Sequence, residues 1–213
     1  MPLLVAAGHE VTGTTRRPDR VAGLAALGAN VIVVDALDRL ALVAAVVECQ
    51  PDVVMHQLTD LGSILPGGPL PIEVLEANAR IRTEGTANLV EAAVAAGAGR
   101  LVAQSIAWLD GPADEPLPRR SGAGVTERGV HALETQVAGN ARFDGLILRY
   151  GRLHGPGTWT MEVPEPPAVS VVGAARAAAL AVTEGGPGVY NIVDDDGPVS
   201  NARARRELGW EPG

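Results

Sequence analysis

The chain of 213 residues is 46% hydrophobic with a mean hydropathy of +0.15, enough apolar content for one substantial core and too much for a disordered chain. A net charge of -8 and a pI near 5.0 argue against a nucleic-acid surface, because the basic clusters Arg16-Arg17, Arg119-Arg120 and 203–206 are short. One cysteine, Cys49, allows no internal disulfide, and no apolar run has the length of a signal core or a membrane span, so a cytoplasmic protein with no membrane segment is expected.

Residues 1–7 read as the last turns of a helix stopped at Gly8, followed by a strand over 9–16, a helix over 18–27 ended by Gly28, and a second strand over 31–34. A helix over 37–49 and a strand over 52–56 come next, then a loop over 61–71 with three prolines and three glycines. The stretch 80–107 organises the rest. Leu89, Val90, Ala93 and Val94 share a helical face, Gly97 and Gly99 end the helix, and Leu101 to Ala103 open a buried strand that delivers Ser105 at its carboxyl tip. Ligands of open α/β sheets collect at such tips, although a serine there also caps segments.

The segment 108–124, rich in proline, glycine and charge, reads as a surface loop or lid. A helix over 126–137 and a strand over 145–149 follow. After Gly151 the pattern changes to a sharp turn at 155–157, an alanine-rich helix over 173–183, a short strand over 189–193 and a last helix over 201–208. Alternating strands and helices with few aromatic residues imply an α/β fold, a doubly wound parallel sheet.

The phrases G-H-E-V-T-G-T-T-R-R (8–17), V-V-D-A-L-D (33–38), E-G-T-A-N-L-V-E-A-A (84–93), R-L-V-A-Q-S-I-A (100–107), L-R-Y-G-R-L-H-G-P-G (148–157), G-V-Y-N-I (188–192) and A-R-R-E-L-G-W-E-P (204–212) occur in an order and spacing that covers nearly the whole chain. Together they resemble the extended or atypical short-chain dehydrogenases/reductases, of the NAD-dependent epimerase/dehydratase type. The resemblance implies a Rossmann-like dinucleotide-binding domain over 1–150 and a small C-terminal substrate-binding lobe over 151–213.

It also implies site roles. Thr15, Arg16 and Arg17 fall where the family contacts the adenosine ribose, and a neutral residue before guanidinium groups favours the 2'-phosphate of NADP over NAD. Asp35 and Ala36 match the adenine contact, with a helix N-cap as the other reading of Asp35. Leu58 and Thr59 match residues lining the cofactor, and Arg149 and Gly151 fall in a phrase that borders it. Ser105 matches the serine that hydrogen-bonds a substrate carbonyl or hydroxyl. A small-molecule substrate is implied, and a homodimer through the two long helices over 72–96 and 126–137, where Arg80, Arg82 and Glu84 read as an exposed charged face.

Three departures stand out. The family's first strand and its G-x-x-G-x-x-G turn have no counterpart, since Met1 falls inside the following helix; the resemblance then implies a longer protein and a sheet without its middle strand. The family's Y-x-x-x-K pair is replaced, on alignment at Glu134, by Thr126 and Val130, leaving His131 and Glu127 as nearby titratable groups and His131 as a candidate acid or base. The family's asparagine after the sixth strand is Arg152, and its late acidic pair becomes Val172, Gly173 and Ala174. Three functions follow: an NADP-dependent oxidoreductase or epimerase acting on a carbonyl or sugar-like alcohol, a non-catalytic NAD(P)-binding sensor or partner subunit, and a cofactor-independent isomerase or cyclase.

Overall fold

A computed structural model describes residues 1–61, 70–195 and 197–213, so most of the proline- and glycine-rich loop over 61–71 lies outside the described residues. The elements run α1 (Pro2–Ala6), β1 (Thr12–Thr15), a 3₁₀ turn (Pro18–Arg20) leading into α2 (Val21–Ala25), β2 (Asn30–Val33), α3 (Arg39–Cys49) and β3 (Val53–His56). Then come α4 (Ile72–Arg80), a π-helical turn (Ile81–Gly85), α5 (Thr86–Ala96), β4 (Arg100–Ile106), α6 (Val125–Ala138) and β5 (Asp144–Tyr150). The chain closes with β6 (Arg152–His154), β7 (Ala168–Ser170), α7 (Val171–Leu180), β8 (Gly188–Ile192) and a π-helical turn (Ala204–Leu208).

Local chemistry sets these boundaries. Asp38, not Asp35, caps α3, its Oδ1 accepting from Ala41 N at 3.1 Å, and α3 stops where Gln50 turns left-handed at φ 45°. Gly97 ends α5 at φ 74°, whereas Gly99 belongs to the approach to β4 and has no positive φ. Ser170 caps α7 by accepting from Gly173 N at 2.9 Å, and the buried Trp210 indole donates to Gly173 O at 2.8 Å, tying the end of the described chain back to that cap.

Four strands form one parallel sheet in the order β3-β4-β5-β8, with Ser105 level with Arg149. A second parallel pair, β1-β2, stands apart from it, so β1 and β3 each pair on one edge among the described residues. The expected break in the sheet therefore appears between β1 and β3. A third pair, β6-β7, was not expected: the strand at 152–154 hides beside the Gly155 turn, and its partner is too short to show alternation.

Side chains alternate across the main sheet and fill two layers. Leu101, Ala103 and Ile147 pack under α3, α5 and α6 with Leu42, Leu89, Ala93, Leu133 and Val137. Val102, Leu146 and Leu148 pack on the opposite face with Ala177, Tyr190, Leu208 and Trp210. Helices α4 and α6 touch where Gly129 faces Ala79; a Cβ on Gly129 would lie 3.1 Å from Ala79 Cα, so a larger residue there would push the two helices apart by a few tenths of an ångström.

Candidate functional site

The carboxyl ends of β1, β2 and β3 enclose a cavity of about 390 Å³ lined by Thr14, Thr15, Arg16, Arg17, Arg20, Val34, Asp35, Ala36, Leu58, Thr59, Asp60 and Ile81. Seven of the nine residues that the resemblance assigns to cofactor binding meet there: Thr15, Arg16, Arg17, Asp35, Ala36, Leu58 and Thr59. Arg20 and Asp60, which sequence reasoning did not single out, join the same wall. Arg20 sits one turn beyond the Arg16-Arg17 pair, and that spacing was the available signal.

Each wall has its own support. Thr15 Oγ1 accepts from Arg17 N at 3.1 Å and shapes the turn that presents the arginines. Asp35 Oδ1 accepts from Leu37 N at 2.9 Å, and Asn88 in α5 donates to Ala36 O at 2.9 Å. On the far side Leu58 N donates to His56 Nδ1 at 3.3 Å and Asp60 N to Asn78 Oδ1 at 3.1 Å. Arg16 closes the cavity with an ion pair to Asp60 at 2.5 Å, a contact that raises its already high pKa, while Arg17 pairs with Asp19 at 2.7 Å. Three guanidinium groups with carboxylate partners, an acid at the opposite corner and apolar flanks from Leu58 and Ile81 form a donor set suited to a phosphorylated adenosine.

Beneath the carboxyl ends of β3, β4 and β5, on the face covered by α5 and α6, runs a seam of buried polar groups: His56, Arg82, Ser105, Glu134 and Arg149. Glu134 is fully buried and saturated. Its Oε1 accepts from Ser105 Oγ at 2.7 Å and Arg149 Nε at 2.8 Å, and its Oε2 from Arg149 Nη2 at 2.6 Å and Leu117 N at 2.7 Å. Arg149 continues upward, donating through Nη1 to Pro112 O at 2.6 Å and through Nη2 to Glu115 O at 2.9 Å. Arg149 thus belongs to this seam and not to the cavity, and in this arrangement Ser105 spends its hydroxyl proton on Glu134.

Gly151, the other residue outside the cavity, is a packing position: a Cβ there would lie 2.6 Å from the carbonyl carbon of Ala168. His131 is engaged elsewhere than with Ser105. Its Nδ1 lies 2.6 Å from Leu117 O and carries the proton, and its ring lines a second cavity of about 650 Å³ with Arg119, Arg120, Glu127 and Arg128. Leu117 therefore stands between the two candidates, its amide held by Glu134 and its carbonyl by His131. Val130, at the place of the family's lysine, is buried against Ile106 and Leu117.

His56 is held neutral. Nδ1 accepts from Leu58 N, so Nε2 donates to Thr86 Oγ1 at 2.9 Å, and burial, with the Arg82 charge second, lowers its pKa to about 4. Arg82 is a correction to the sequence reading: it is only 4% exposed, and it sits in the π-helical turn against α6. Its neighbours Arg80 and Glu84 do form the exposed pair expected of a charged face, at 2.9 Å. Being two residues from each, Arg82 falls on the opposite side of the helix, a signal the periodicity carried.

Comparison with known proteins places these features. Residues 1–166 match the family described as NAD(P)H-binding. A curated relative from a Streptomyces species, a 3-diazoavenalumate denitrifying reductase, is 41% identical over 214 residues, covering 96% of this chain; this chain spans 66% of that relative's length. The Bordetella bronchiseptica enzyme WbmG in complex with NAD superposes with a TM-score of 0.71 at 18% identity, covering 100% of this chain and 84% of its own. The Helicobacter pylori ADP-L-glycero-D-manno-heptose-6-epimerase gives a TM-score of 0.71 at 16% identity, covering 100% and 86%. Among the described residues no helix is long and apolar enough to cross a membrane. With its family match, its doubly wound sheet and its cavity at the strand ends, the chain belongs to the NAD(P)H-binding family and has the fold of the extended short-chain dehydrogenases/reductases.

Proposed function

We propose that this chain is the cofactor-binding part of an NADPH-dependent reductase that removes a diazo group as dinitrogen. The observation that supports it most is the pairing of a 41% identical relative named as a denitrifying reductase of a diazo compound with a cavity presenting Arg16, Arg17 and Arg20 beside Thr15. The three guanidinium groups would hold a 2'-phosphate, Asp35 and Ala36 the adenine, and Leu58 and Thr59 the flank of the cofactor. When bound, a reduced nicotinamide would supply a hydride, whose electron pair would become the new C–H bond of a diazonium carbon while the C–N pair would leave with neutral dinitrogen.

That balance transfers no proton, and it accounts for a site in which Thr126 and Val130 replace a tyrosine and a lysine. A carbonyl reduction needs a proton donor for the new alkoxide, whereas loss of dinitrogen from a diazonium cation needs none. In this reading Ser105 and His131 are positioning residues, Ser105 acting through Glu134 and His131 through Leu117 O to hold the lid over 108–124.

The second reading, a non-catalytic NAD(P)-binding sensor, draws on the engagement of Ser105 by Glu134. One experiment separates them: the purified chain is mixed with NADPH and an aryl diazonium salt, and dinitrogen release and NADPH oxidation are followed above the uncatalysed rate. Equal, protein-dependent rates of both, with deuterium from 4-deuterated NADPH appearing on the arene carbon, support the reductase. NADPH binding without turnover assigns the sensor role.

A further inference from the structure

Arginine is almost never fully buried unless it is paired, because the cost of desolvating a guanidinium is offset only by an anion or a full set of acceptors. Arg149 obeys this rule, with Glu134 and two carbonyl groups around it. Arg82 does not. It is 4% exposed, its Nε is buried with no partner, and among the described residues no hydrogen bond or ion pair reaches its guanidinium. The two titratable groups that feel its charge cannot neutralise it: Glu134 is already saturated by four donors, and His56 is neutral with both ring nitrogens engaged.

The position adds a second observation. Arg82 sits in a π-helical turn, a local widening of the helix that recurs at functional sites, and the preceding residue, Ile81, lines the cavity at the strand ends. Arg82 itself lines neither cavity; its charge is felt by His56, the last residue of β3, and by Glu134, which holds Ser105 near the tip of β4, so the guanidinium lies by the carboxyl ends of those two strands. Arg16, Arg17 and Arg20 are exposed and have carboxylate partners, whereas Arg82 is buried and has none, and an unpaired buried cation calls for an anion of its own.

We infer that Arg82 is an anion receptor whose guanidinium takes the carboxylate of an organic acid entering at the carboxyl ends of β3 and β4. The inference deepens the reductase reading, on which the word substrate rests, by naming the substrate's class as an acid. The planar fork of the guanidinium matches a carboxylate in two parallel hydrogen bonds, a geometry that lysine lacks.

The test is a thermal-shift and binding titration of the wild-type chain, Arg82→Met and Arg82→Lys, with cinnamate as probe, cinnamamide as its uncharged match, and NADPH. In the wild type, cinnamate raises Tm and cinnamamide does not. Arg82→Met melts higher than the wild type without ligand, since an uncompensated charge is gone; it keeps its NADPH response and binds cinnamate at least about tenfold more weakly, the scale of one lost charge-assisted fork. Arg82→Lys retains part of the cinnamate response, and it carries the test should the methionine variant fail to fold. Undiminished cinnamate binding by Arg82→Met, no cinnamate response in the wild type, or loss of the NADPH response in place of the cinnamate response would each overturn the inference, the last by assigning the anion to the cofactor's phosphate. Failure of the reductase reading gives a different result, carboxylate binding intact with no dinitrogen released.

Discussion

Ser105 Oγ donates to Glu134 Oε1 at 2.7 Å, joining the carboxyl tip of the central strand β4 to the middle of helix α6 through a carboxylate that also neutralises Arg149. Removing the hydroxyl leaves Glu134 with three of its four donors. Ser105→Ala should therefore cost about 1.5–3 kcal/mol, the range for a hydrogen bond to a buried charge. Glu134→Gln, which leaves Arg149 uncompensated, should cost about 3–5 kcal/mol. Urea unfolding of both variants checks the order. A Ser105→Ala protein as stable as the wild type that loses turnover would instead show the hydroxyl acting on substrate.

Acid should weaken the fold through His56. Its folded pKa of about 4 lies below the ordinary 6.5, so the unfolded chain takes up the proton first. Stability from this group is whole above pH 6.5, falls as the pH drops from there, and stops falling near 4. The full difference amounts to about 3 kcal/mol. Unfolding free energies measured at pH 7 and pH 4 should converge by that amount in His56→Gln, whose side chain carries no titrating group.

Cofactor choice should respond to charge at one corner of the cavity. Arg16→Glu and Arg17→Glu should each weaken NADPH binding by about tenfold or more while leaving NADH within about threefold, since only NADPH presents a 2'-phosphate to those groups. Arg16 has a further effect. Its pair with Asp60 must loosen for the guanidinium to meet a phosphate, so Asp60→Asn should tighten NADPH binding. Fluorescence titration of both nucleotides reads each outcome.

If dinitrogen loss needs no proton from the chain, kcat for an aryl diazonium salt should be flat across pH 6–8, and neither Thr126→Val nor His131→Gln should introduce a slope. A bell-shaped profile that vanishes in His131→Gln would restore that residue as an acid or base.

Much of this fold was legible because its core strands are continuous apolar runs, and buried strands with parallel neighbours carry their signature on every residue: Leu101, Val102 and Ala103, or Leu146, Ile147 and Leu148. The cavity residues were legible through the resemblance, and Thr15 to Arg17 came together with Asp35 and Leu58 because each follows the end of its own strand. What local pattern could not carry was pairing: nothing in Arg152–His154 announces a partner sixteen residues later, and nothing in Ser105 announces a glutamate 29 residues away. Arg82 escaped for a different reason, since a charged residue between charged neighbours looks solvated until its angular position is counted.

The loop over 108–124 is held by its main chain. Arg149 grips the carbonyl groups of Pro112 and Glu115, and Glu134 grips the amide of Leu117. Main-chain atoms are common to nearly every residue type, so Ala113, Asp114 and Glu115 can drift in sequence without loosening the loop, while the two side chains beneath it have no substitutes. A library randomised at those three loop positions should stay folded and differ in what it admits; one randomised at Glu134 and Arg149 should return almost only the pair it began with. The loop can be rewritten residue by residue without moving its anchors.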